Sequence, residues 1–390
     1  MKGKRIGFVF AGFGFGGAER QALILARHLR ETEMAEVKIY PWIDALAGYY
    51  AQYGVPWRVV PFSGFWPATR SNMALSVLKY VTALRKERLD LIISYCMVAN
   101  LLGGIVWRWV GARGFIWNQV DEGRERRPGR WEALAVRRAS CFISNCTHGA
   151  DFLHQQLSAP REKIHVIYNG VSPEPAEKTV AEWRRELEVG HGVLLACMIA
   201  NLTSFKDHAT LLQAWRKVVD AVAAKGQRAV LLLAGRFGDQ HIPLKLLAYD
   251  LDLGRSVRFL GQVKDITGLI RATDLCVFSS RLEGCPNAVC ESMGEGLAVA
   301  GTDIPGIREA VGSAGEEFLA PPGNADQLAE KILHLLLHPE IRARAGRANQ
   351  LRVRASFSVE KMCGETVALL QGVAAGPGSC VARALPRLLA

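Results

Sequence analysis

Short apolar runs alternate with amphipathic segments along the first part of the chain. The runs RIGFVFA, LDLIISY, FIWNQV, ASCFISN and KIHVIY are predicted strands. The segment from Ala18 to Arg30 places its apolar residues at helical spacing directly after the first of these runs. Strands that are apolar throughout are typical of a parallel sheet covered on both faces, so the pattern predicts a doubly wound α/β domain.

The alternation stops after Tyr168 and then begins again. Residues 169–190 contain NGV, two prolines and the charged stretch EPAEKTVAEWRRELE, which indicate a linker. The runs GVLLACMIAN, AVLLLAG, VRFLG, DLCVFSS and LAVAG then repeat the strand pattern, and helical segments follow from about Asn324 to Gln371. We therefore predict an N-terminal domain at 1–168, a linker at 169–190, a C-terminal domain at 191–371 and a poorly ordered tail at 372–390.

Two domains also suit the length, because single cores rarely exceed about 250–300 residues and this chain has 390. Ligands of doubly wound sheets bind at the carboxyl ends of the strands. The architecture therefore predicts a ligand site in a cleft between the two domains.

Two apolar stretches imitate membrane signals. KGKR followed by IGFVFAGFGFGG resembles a signal peptide, but glycines interrupt it and a helical pattern follows, so we predict a strand, a glycine loop and a helix. Met97 to Val110 is shorter than a membrane span and contains Arg108. We predict that it is a buried helix.

The positive charge is concentrated in the first half of the chain. The net charge is +11, and residues 1–180 hold 24 Lys and Arg against 15 Asp and Glu. This excess suits an anionic partner such as phosphates or an acidic membrane surface. Nucleic acid is disfavoured because the basic residues are scattered and no nucleic-acid motif accompanies them. The one cluster, Arg124, Arg126, Arg127 and Arg130, could equally be a solvated loop.

The cysteines indicate no metal site. There are nine, an odd number without a CxxC pair, and several lie inside apolar runs. We interpret them as buried, reduced thiols of a cytosolic protein. Asp250-Leu251-Asp252 is a D-x-D sequence that holds a metal in other folds, but it lies between a predicted helix and the strand VRFLG, so we predict a connecting loop.

Two loops have features of phosphate sites. Gly16 and Gly17 end a glycine-rich turn between the first strand and the first helix, where backbone N–H groups attract anions. The spacing is not GxGxxG, and a simple tight turn is the alternative. Asn201 and Lys206 follow the first strand of the second domain, and a lysine there could neutralise a diphosphate or simply face solvent.

The segment SSRLEGCPNAVCESMGEG after the strand DLCVFSS is the most informative. It places Glu283 and Glu291 eight residues apart. Pro286 fits the first position of a helix, which would leave Glu283 in the preceding loop and Glu291 on the second turn. A helix N-terminus favours an anion, and the carboxylates can accept hydrogen bonds from sugar hydroxyls. Alternatively, Glu283 only complements the helix dipole and Glu291 faces solvent.

EGCPNAVCE, with its flanks GRFGD, VRFLGQV, LCVFSSRLEG and GLAVAGTDIPGIREAVG, resembles the Glu-x7-Glu region of the retaining glycosyltransferases of family 4. FGFGGAER resembles the first loop of that family, and VIYNGV its interdomain junction. The resemblance covers the chain to about residue 371. It implies the GT-B fold, in which two Rossmann-like domains face each other across a cleft.

The resemblance also implies roles for individual residues. Glu291 would accept hydrogen bonds from the ribose hydroxyls, Glu283 would bind the transferred sugar, and Lys206 would neutralise the leaving diphosphate. Lys206 and Glu283 are thus the candidate catalytic residues. The further donor-binding candidates are Gly16, Gly17, Asn201, Arg236, Val263 and the backbone amides of Pro286, Asn287 and Ala288.

Two departures from the family pattern concern the site itself. Asn201 stands where the family often has an Arg, so a second diphosphate cation would have to come from elsewhere, for instance from Arg236. Many members also carry a His in a first-domain loop near the reacting sugar carbon. This chain has Asn118 and Gln119 there, and Asp121 or Glu122 is the candidate for serving the acceptor, with an acidic surface loop as the alternative.

The sequence therefore predicts a glycosyltransferase that uses a nucleotide-sugar such as a UDP- or GDP-sugar, retains the anomeric configuration and needs no metal or other cofactor. The acceptor is expected to be lipid-linked or a saccharide. The expected location is the cytoplasm, peripheral on the inner face of the plasma membrane. A sugar phosphorylase, an epimerase and a non-catalytic sugar-nucleotide-binding subunit are the alternatives, although no setting for a pyridoxal-binding Lys is evident.

Overall fold

The computed structural model describes residues 1–12, 14–63, 70–121, 123, 126, 128–172, 174–190 and 192–376. It divides into two compact units. Unit 1 comprises Met1–Gly170 and the chain from Val359 onward, and unit 2 comprises Val171–Ser358. Each unit contains one six-stranded parallel sheet with helices, as predicted.

Unit 1 is built on a sheet with the strand order β2-β1-β3-β4-β5-β6. Its strands are β1 (Arg5–Phe10), β2 (Glu36–Pro41), β3 (Leu91–Tyr95), β4 (Gly114–Gln119), β5 (Cys141–Ser144) and β6 (Ile164–Val166). Its first six helices are α1 (Gly17–Glu31), α2 (Ala47–Gln52), α3 (Arg70–Arg85), α4 (Met97–Val110), α5 (Arg130–Arg138) and α6 (Thr147–Gln155).

Alternating side chains of these strands supply two separate cores, one on each face of the sheet. Phe8 and Phe10 pack with α1 on one face, whereas Val9 packs with α3, α4 and α5 on the other. The predicted buried helix is α4, and its glycines let it approach its neighbours closely. A Cβ atom at Gly103 would lie 2.4 Å from the Phe115 ring of β4.

Unit 2 repeats the architecture with the strand order β12-β11-β10-β7-β8-β9. Its strands are β7 (Leu194–Ile199), β8 (Ala229–Ala234), β9 (Val257–Gly261), β10 (Leu275–Phe278), β11 (Val299–Thr302) and β12 (Leu319–Ala320). Its helices are α7 (Val180–Glu186), α8 (His208–Ala223), α9 (His241–Asp250), α10 (Ile266–Ala272), α11 (Asn287–Gly294), α12 (Pro305–Val311), α13 (Ala325–Leu337) and α14 (Pro339–Ser356).

The last helix, α15 (Val359–Ala375), belongs to unit 1, whereas the predicted boundary keeps the chain in the second domain to residue 371. It packs against α1 and buries Cys363, Val367 and Leu370 in the core of unit 1. The predicted tail at 372–390 also differs at its start, because the helix continues to Ala375. Residues 377–390 lie outside the described part of the chain.

The predicted linker at 169–190 contains a helix that packs within unit 2. Trp183 of α7 is buried, and its indole N–H donates to Asp265 over 2.7 Å. The backbone N–H groups of Glu177 and Lys178 also donate to this carboxylate, at 3.1 and 3.0 Å. Asp265 therefore attaches residues 177–183, the first part of unit 2 in the chain, to the start of α10.

The structure also places the cysteines and the D-x-D sequence. Six of the eight described cysteines are buried and all eight are free thiols, whereas Cys380 lies outside the described residues. Asp250 is the last residue of α9 rather than part of a loop, whereas Asp252 lies in the predicted connection to β9. Within the described part of the chain, no helix combines the length and the apolar content needed to cross a membrane.

Candidate functional site

The strand order of unit 2 changes direction at β7. The chain runs outward from β7 through β8 to β9, and then returns to β10 on the other side of β7. Loops at the carboxyl ends of β7 and β10 therefore leave in opposite directions, and such a switch point is the preferred ligand position of an open α/β sheet. Lys206 follows β7 and Glu283 follows β10, so the topology brings both residues to this point.

The loop after β7 ends in a single 3₁₀ turn, Ser204–Lys206. Asp207 then adopts a left-handed conformation with φ of 48° and caps α8. Its carboxylate accepts hydrogen bonds from the backbone N–H of Thr210 at 3.4 Å and from the Thr210 hydroxyl at 2.8 Å. This cap fixes the direction in which the chain leaves Lys206.

Three hydrogen bonds hold this loop against the end of β10. The Ser279 hydroxyl donates to the Lys206 carbonyl at 3.0 Å. The backbone N–H of Arg281 donates to the Phe205 carbonyl at 2.8 Å, and its guanidinium donates to Asp207 at 2.8 Å. The loop after β7 and the loop after β10 are therefore held firmly together.

Lys206 of the first loop and Glu283 of the second form an ion pair. The Nζ atom donates to Oε1 over 2.5 Å, and the side chains are 19% and 9% exposed. An ammonium group has three donors and a carboxylate has two oxygens. Each partner therefore keeps hydrogen-bonding capacity for a ligand, Lys206 toward phosphate oxygens and Glu283 toward hydroxyl groups.

His208, next to this pair, adds no positive charge. Its ring is fully buried, and burial, aided by the positive charge of Lys206, lowers its pKa to about 4. The imidazole is therefore neutral at pH 7, and Lys206 supplies the positive charge of this loop.

Glu291 lies on the second turn of α11, as the spacing predicts. Its side chain is buried, which excludes the alternative of a solvent-exposed residue, and the helix start differs from the prediction by one residue. Pro286 is the N-cap and Asn287 is the first helical residue. Because proline has no N–H, the amides that can meet an anion begin with Asn287 and Ala288. The predicted contribution of a Pro286 amide is therefore wrong.

The loop that carries Glu283 rests on the start of α12. A Cβ atom added at Gly306 would lie 2.2 Å from the Gly284 carbonyl oxygen and 2.3 Å from that of Glu283. A side chain at this position would displace the loop. Glycine at 306 therefore permits this close contact, which helps to hold Glu283 in place after β10.

Asn201 and Arg236 follow the neighbouring strands β7 and β8 and are in contact. The Asn201 side-chain oxygen accepts a hydrogen bond from the backbone N–H of Arg236 at 3.0 Å. Asn201 thus holds the turn from which the exposed Arg236 side chain extends. Val263 is half-buried in the turn between β9 and α10, at the same edge of the sheet.

The remaining predicted residues belong to unit 1. Gly16 is the N-cap of α1 and Gly17 its first residue, and both are exposed. The Gly16 N–H donates to Glu19 Oε2 at 3.1 Å, so a carboxylate of the same turn already occupies this amide. The loop follows β1, which is the switch point of the sheet of unit 1, since the chain leaves β1 toward β2 and returns to β3.

Asn118 and Gln119 end β4 and are buried. The Gln119 amide is engaged on both sides, because its oxygen accepts from the Trp117 indole at 2.8 Å and its nitrogen donates to Asp121 Oδ1 at 3.1 Å. Gln119 therefore braces the loop that presents Asp121. Glu122 lies outside the described residues.

The Arg cluster is only partly a solvated loop. Arg126 forms an ion pair with the buried Glu132 at 3.1 Å and also donates to Gln156. Arg130 is exposed, with its guanidinium 5.0 Å from the centre of the Trp131 ring. Arg124 and Arg127 lie outside the described residues.

Sequence reasoning missed the residues that hold this site in place, namely Asp207, Ser279, Arg281 and Gly306. Asp207 carried a usable signal, because an Asp before a helical pattern is a frequent N-cap. The others act through contacts between loops that are distant in sequence, and no local sequence pattern predicts such contacts. Among the described residues, no cluster of three or more His, Cys, Asp or Glu side chains is arranged to hold a metal.

Two family models match this chain, one in each half. Residues 179–352 match the model of glycosyl transferases group 1, and residues 15–175 match that of glycosyltransferase family 4. Together with the two six-stranded parallel sheets, these matches indicate a glycosyltransferase of the GT-B type.

Curated relatives are distant. An N-acetyl-alpha-D-glucosaminyl L-malate synthase of Bacillus anthracis is 24% identical over 60% of this chain. The match spans only 59% of that relative's length. A UDP-Gal:alpha-D-GlcNAc-diphosphoundecaprenol alpha-1,3-galactosyltransferase of Escherichia coli is 23% identical over 70% of this chain and 74% of its own.

Solved structures show the same fold. The Anabaena protein HepE, crystallised with UDP and glucose, has a TM-score of 0.81 at 21% identity and covers 94% of this chain and 99% of its own. A glycosyltransferase from Rickettsia africae has a TM-score of 0.82 at 19% identity and covers 96% and 99%. The fold of this chain is therefore GT-B.

Proposed function

We propose that the protein transfers a sugar from a nucleoside-diphosphate sugar to an acceptor and retains the anomeric configuration. The observation that supports this proposal best is the ion pair of Lys206 and Glu283 at the switch point of unit 2, with Glu291 on the helix that follows. A cation, a helix N-terminus and two carboxylates at one sheet edge suit a diphosphate and the hydroxyl groups on either side of it.

In this proposal the donor is bound by its three parts. Glu291 accepts hydrogen bonds from the ribose hydroxyls. Lys206 and the first amides of α11 bind the diphosphate, with Arg236 as a further cation. Glu283 binds hydroxyls of the transferred sugar while it stays paired with Lys206. Val263 lies near the nucleobase. Gly16 and Gly17 let the loop after β1 approach donor phosphate or acceptor.

The proposed catalysis is electrostatic. The bond between the anomeric carbon and the diphosphate breaks, and negative charge develops on the leaving oxygen. Lys206 and the N-terminus of α11 stabilise that charge, because fixed donors need not reorganise as it grows. The acceptor oxygen forms the new bond on the same face, and its proton passes to the leaving diphosphate. Since these groups supply the positive charge, we propose that no metal is needed.

We further propose a lipid-linked or polysaccharide-precursor acceptor, bound in part by Asn118 and Asp121. The Escherichia coli relative named above uses a diphosphoundecaprenol substrate, and the basic excess of residues 1–180 suits a phosphate-rich surface. The protein would then act in the cytoplasm as a peripheral protein on the inner face of the plasma membrane, attached by reversible, salt-sensitive contacts.

A non-catalytic sugar-nucleotide-binding subunit is the second candidate. It is favoured by the position where many family members carry a His, because Gln119 there has its amide engaged by Trp117 and Asp121. Such a subunit would bind the donor without consuming it, which makes donor turnover the decisive measurement.

The experiment incubates the protein with a panel of UDP- and GDP-sugars in excess EDTA and follows release of the nucleoside diphosphate and the anomeric proton signals of the sugar product. We expect turnover of at least one donor, with a first-formed product of the donor's own anomeric configuration. Inverted product would refute retention. Loss of turnover in EDTA that Mn²⁺ or Mg²⁺ restores would refute metal independence. Donor binding without any turnover would favour the subunit.

A further inference from the structure

The helices α3, α4 and α5 form one continuous layer on a face of the sheet of unit 1, since α4 packs against both of the others. Each helix exposes large apolar side chains. Leu75 and Leu78 on α3 are 50% and 61% exposed, and Trp109 on α4 and Trp131 on α5 are both 49% exposed. Leu75 and Leu78 lie three residues apart and share one helix face.

A basic pocket lies at the edge of this layer, at the amino ends of β4, β5 and β6. Its volume is about 620 Å³. Four arginines and a lysine line it against a single carboxylate, Glu162, while buried residues such as Trp107 and Val373 give it an apolar floor. The five cations are Arg108, Arg113, Arg137, Arg138 and Lys163.

Most of this positive charge is not neutralised within the protein. Arg138 is anchored, with a hydrogen bond to the Ile105 carbonyl at 2.8 Å and its guanidinium 5.6 Å from the Trp109 ring centre. Arg113 lies 3.6 Å from Asp90. Arg108 and Arg137 are exposed, and no carboxylate among the described residues forms an ion pair with either of them.

This combination of groups selects the ligand. Several cations around one concavity fit a phosphate group. The exposed Trp109 beside them, together with the exposed Trp131, Leu75 and Leu78 elsewhere in the same helix layer, fits the interfacial region of a bilayer. A free phosphate would use the cations but would leave the apolar side chains without a role. The basic pocket and the exposed apolar side chains together therefore favour the phosphate headgroups of an anionic membrane over a soluble phosphorylated compound.

We propose that the outer surface of α3, α4 and α5, with the basic pocket at its edge, is the surface through which the protein binds anionic phospholipids. This inference rests on the peripheral membrane attachment proposed above and assigns it to residues. The pocket lies at the amino ends of the strands, so a bound headgroup leaves the carboxyl ends, where Gly16 and Asp121 lie, unobstructed.

Sedimentation with vesicles tests the assignment. The full chain and its variants are mixed with phosphatidylcholine vesicles, with or without phosphatidylglycerol, at low and high salt. A basic residue near an anionic surface contributes about fivefold in partitioning, so Arg108→Gln with Arg137→Gln should lower it about 25-fold at low salt. The matched control is Arg344→Gln with Arg347→Gln, two exposed arginines on α14 of unit 2, which should sediment like the wild type.

Trp109→Ala tests the apolar part of the surface. It should lower partitioning at both salt concentrations, because its contribution does not depend on ionic strength, whereas the Arg108 and Arg137 effect should disappear at high salt. Nucleotide-sugar binding should be the same in all variants, which separates this assignment from the donor chemistry.

The outcomes distinguish the two levels of the proposal. Wild-type protein that stays in the supernatant at low salt would overturn both the membrane attachment and this surface. Wild-type protein that sediments, together with an Arg108 and Arg137 variant that sediments equally well, would overturn only the surface. Stabilisation of the wild type by inorganic phosphate, lost in that variant and without vesicle binding, would show a soluble phosphate site and overturn the assignment to lipid.

Discussion

Replacing Lys206 by Ala should affect stability and catalysis through different mechanisms. In the folded protein Glu283 is 9% exposed and its partner is the Lys206 ammonium at 2.5 Å. Loss of a hydrogen bond between charged groups costs about 1.5–3 kcal/mol. Lys206 is partly exposed, and solvent screening weakens its pair with Glu283, so the expected loss of unfolding free energy is smaller, about 1–2 kcal/mol. Adding Glu283→Gln to Lys206→Ala removes the unpaired charge and should recover part of this loss.

Turnover should not recover in the double variant. The charge on the diphosphate grows in the transition state, so removing a positioned donor lowers kcat by about 10²–10³ while donor affinity changes less. The assays are chemical denaturation of the free protein and initial rates at saturating donor. Lys225→Ala, which removes an exposed lysine just after α8, is the control and should leave both unchanged.

Two results would refute this reasoning. A raised KM with unchanged kcat would show that Lys206 binds donor and transition state equally. Equal stability of the wild type and Lys206→Ala would show that the pair with Glu283 contributes nothing to the fold.

Three further substitutions test separate parts of the account. Glu291→Gln should weaken nucleotide binding by about 1–3 kcal/mol in calorimetry with little effect on stability, and unchanged binding would defeat the ribose assignment. Gly306→Ala adds a methyl group 2.2 Å from a carbonyl oxygen and should reduce donor affinity. Gly364→Ala, whose added methyl group would meet nothing within 4 Å beyond the backbone of its own helix, should leave donor affinity unchanged, and equal affinities of the two variants would show that the Glu283 loop adapts. Burial raises the pKa of Asp265, but its hydrogen bonds outweigh burial and lower that pKa below the usual value. Its stabilisation should therefore be present above about pH 4 and lost as pH falls further, and Asp265→Asn should cost about 2–3 kcal/mol at pH 7 in denaturant titrations, unlike the exposed Asp239→Asn. An Asp265→Asn variant as stable as the wild type would show that the hydrogen bonds of this carboxylate do not stabilise the fold.

The sequence predicted the strands best where they are continuously apolar. Runs such as LLACMI of β7 and AVLLLA of β8 are buried along their whole length or nearly so. The strand β2, EVKIYP, was missed because charged residues interrupt it near the edge of the sheet, and β12 has only two residues. Edge strands need fewer apolar side chains, so their pattern is weaker.

Helical periodicity could not show which unit a helix packs against. The apolar residues of α15 predict a helix, but its return to unit 1 depends on contacts of Cys363, Val367 and Leu370 with elements more than 300 residues earlier. The same limit applies to α7, whose charged sequence suggests a linker while Trp183 docks on Asp265.

The candidate site was predictable to the extent that its residues follow strands. Lys206 and Glu283 both follow central strands, and the parallel topology alone brings them to one edge. Their direct pairing, and the bracing by Ser279 and Arg281, depend on loop geometry that spacing does not encode. The same holds for Gln119, whose amide proves to be engaged inside unit 1.

The most direct test of the central claim is a titration of the protein with UDP- and GDP-sugars, followed by thermal unfolding. A ligand at 100 times its Kd stabilises a folded protein by about 2.7 kcal/mol, which is readily measured. We predict that at least one nucleotide-sugar raises the melting temperature of the wild type and that Glu291→Gln loses most of this shift. A wild type that no nucleotide-sugar stabilises, or a shift that survives in Glu291→Gln, would contradict a nucleotide-sugar site at the carboxyl ends of β7 and β10.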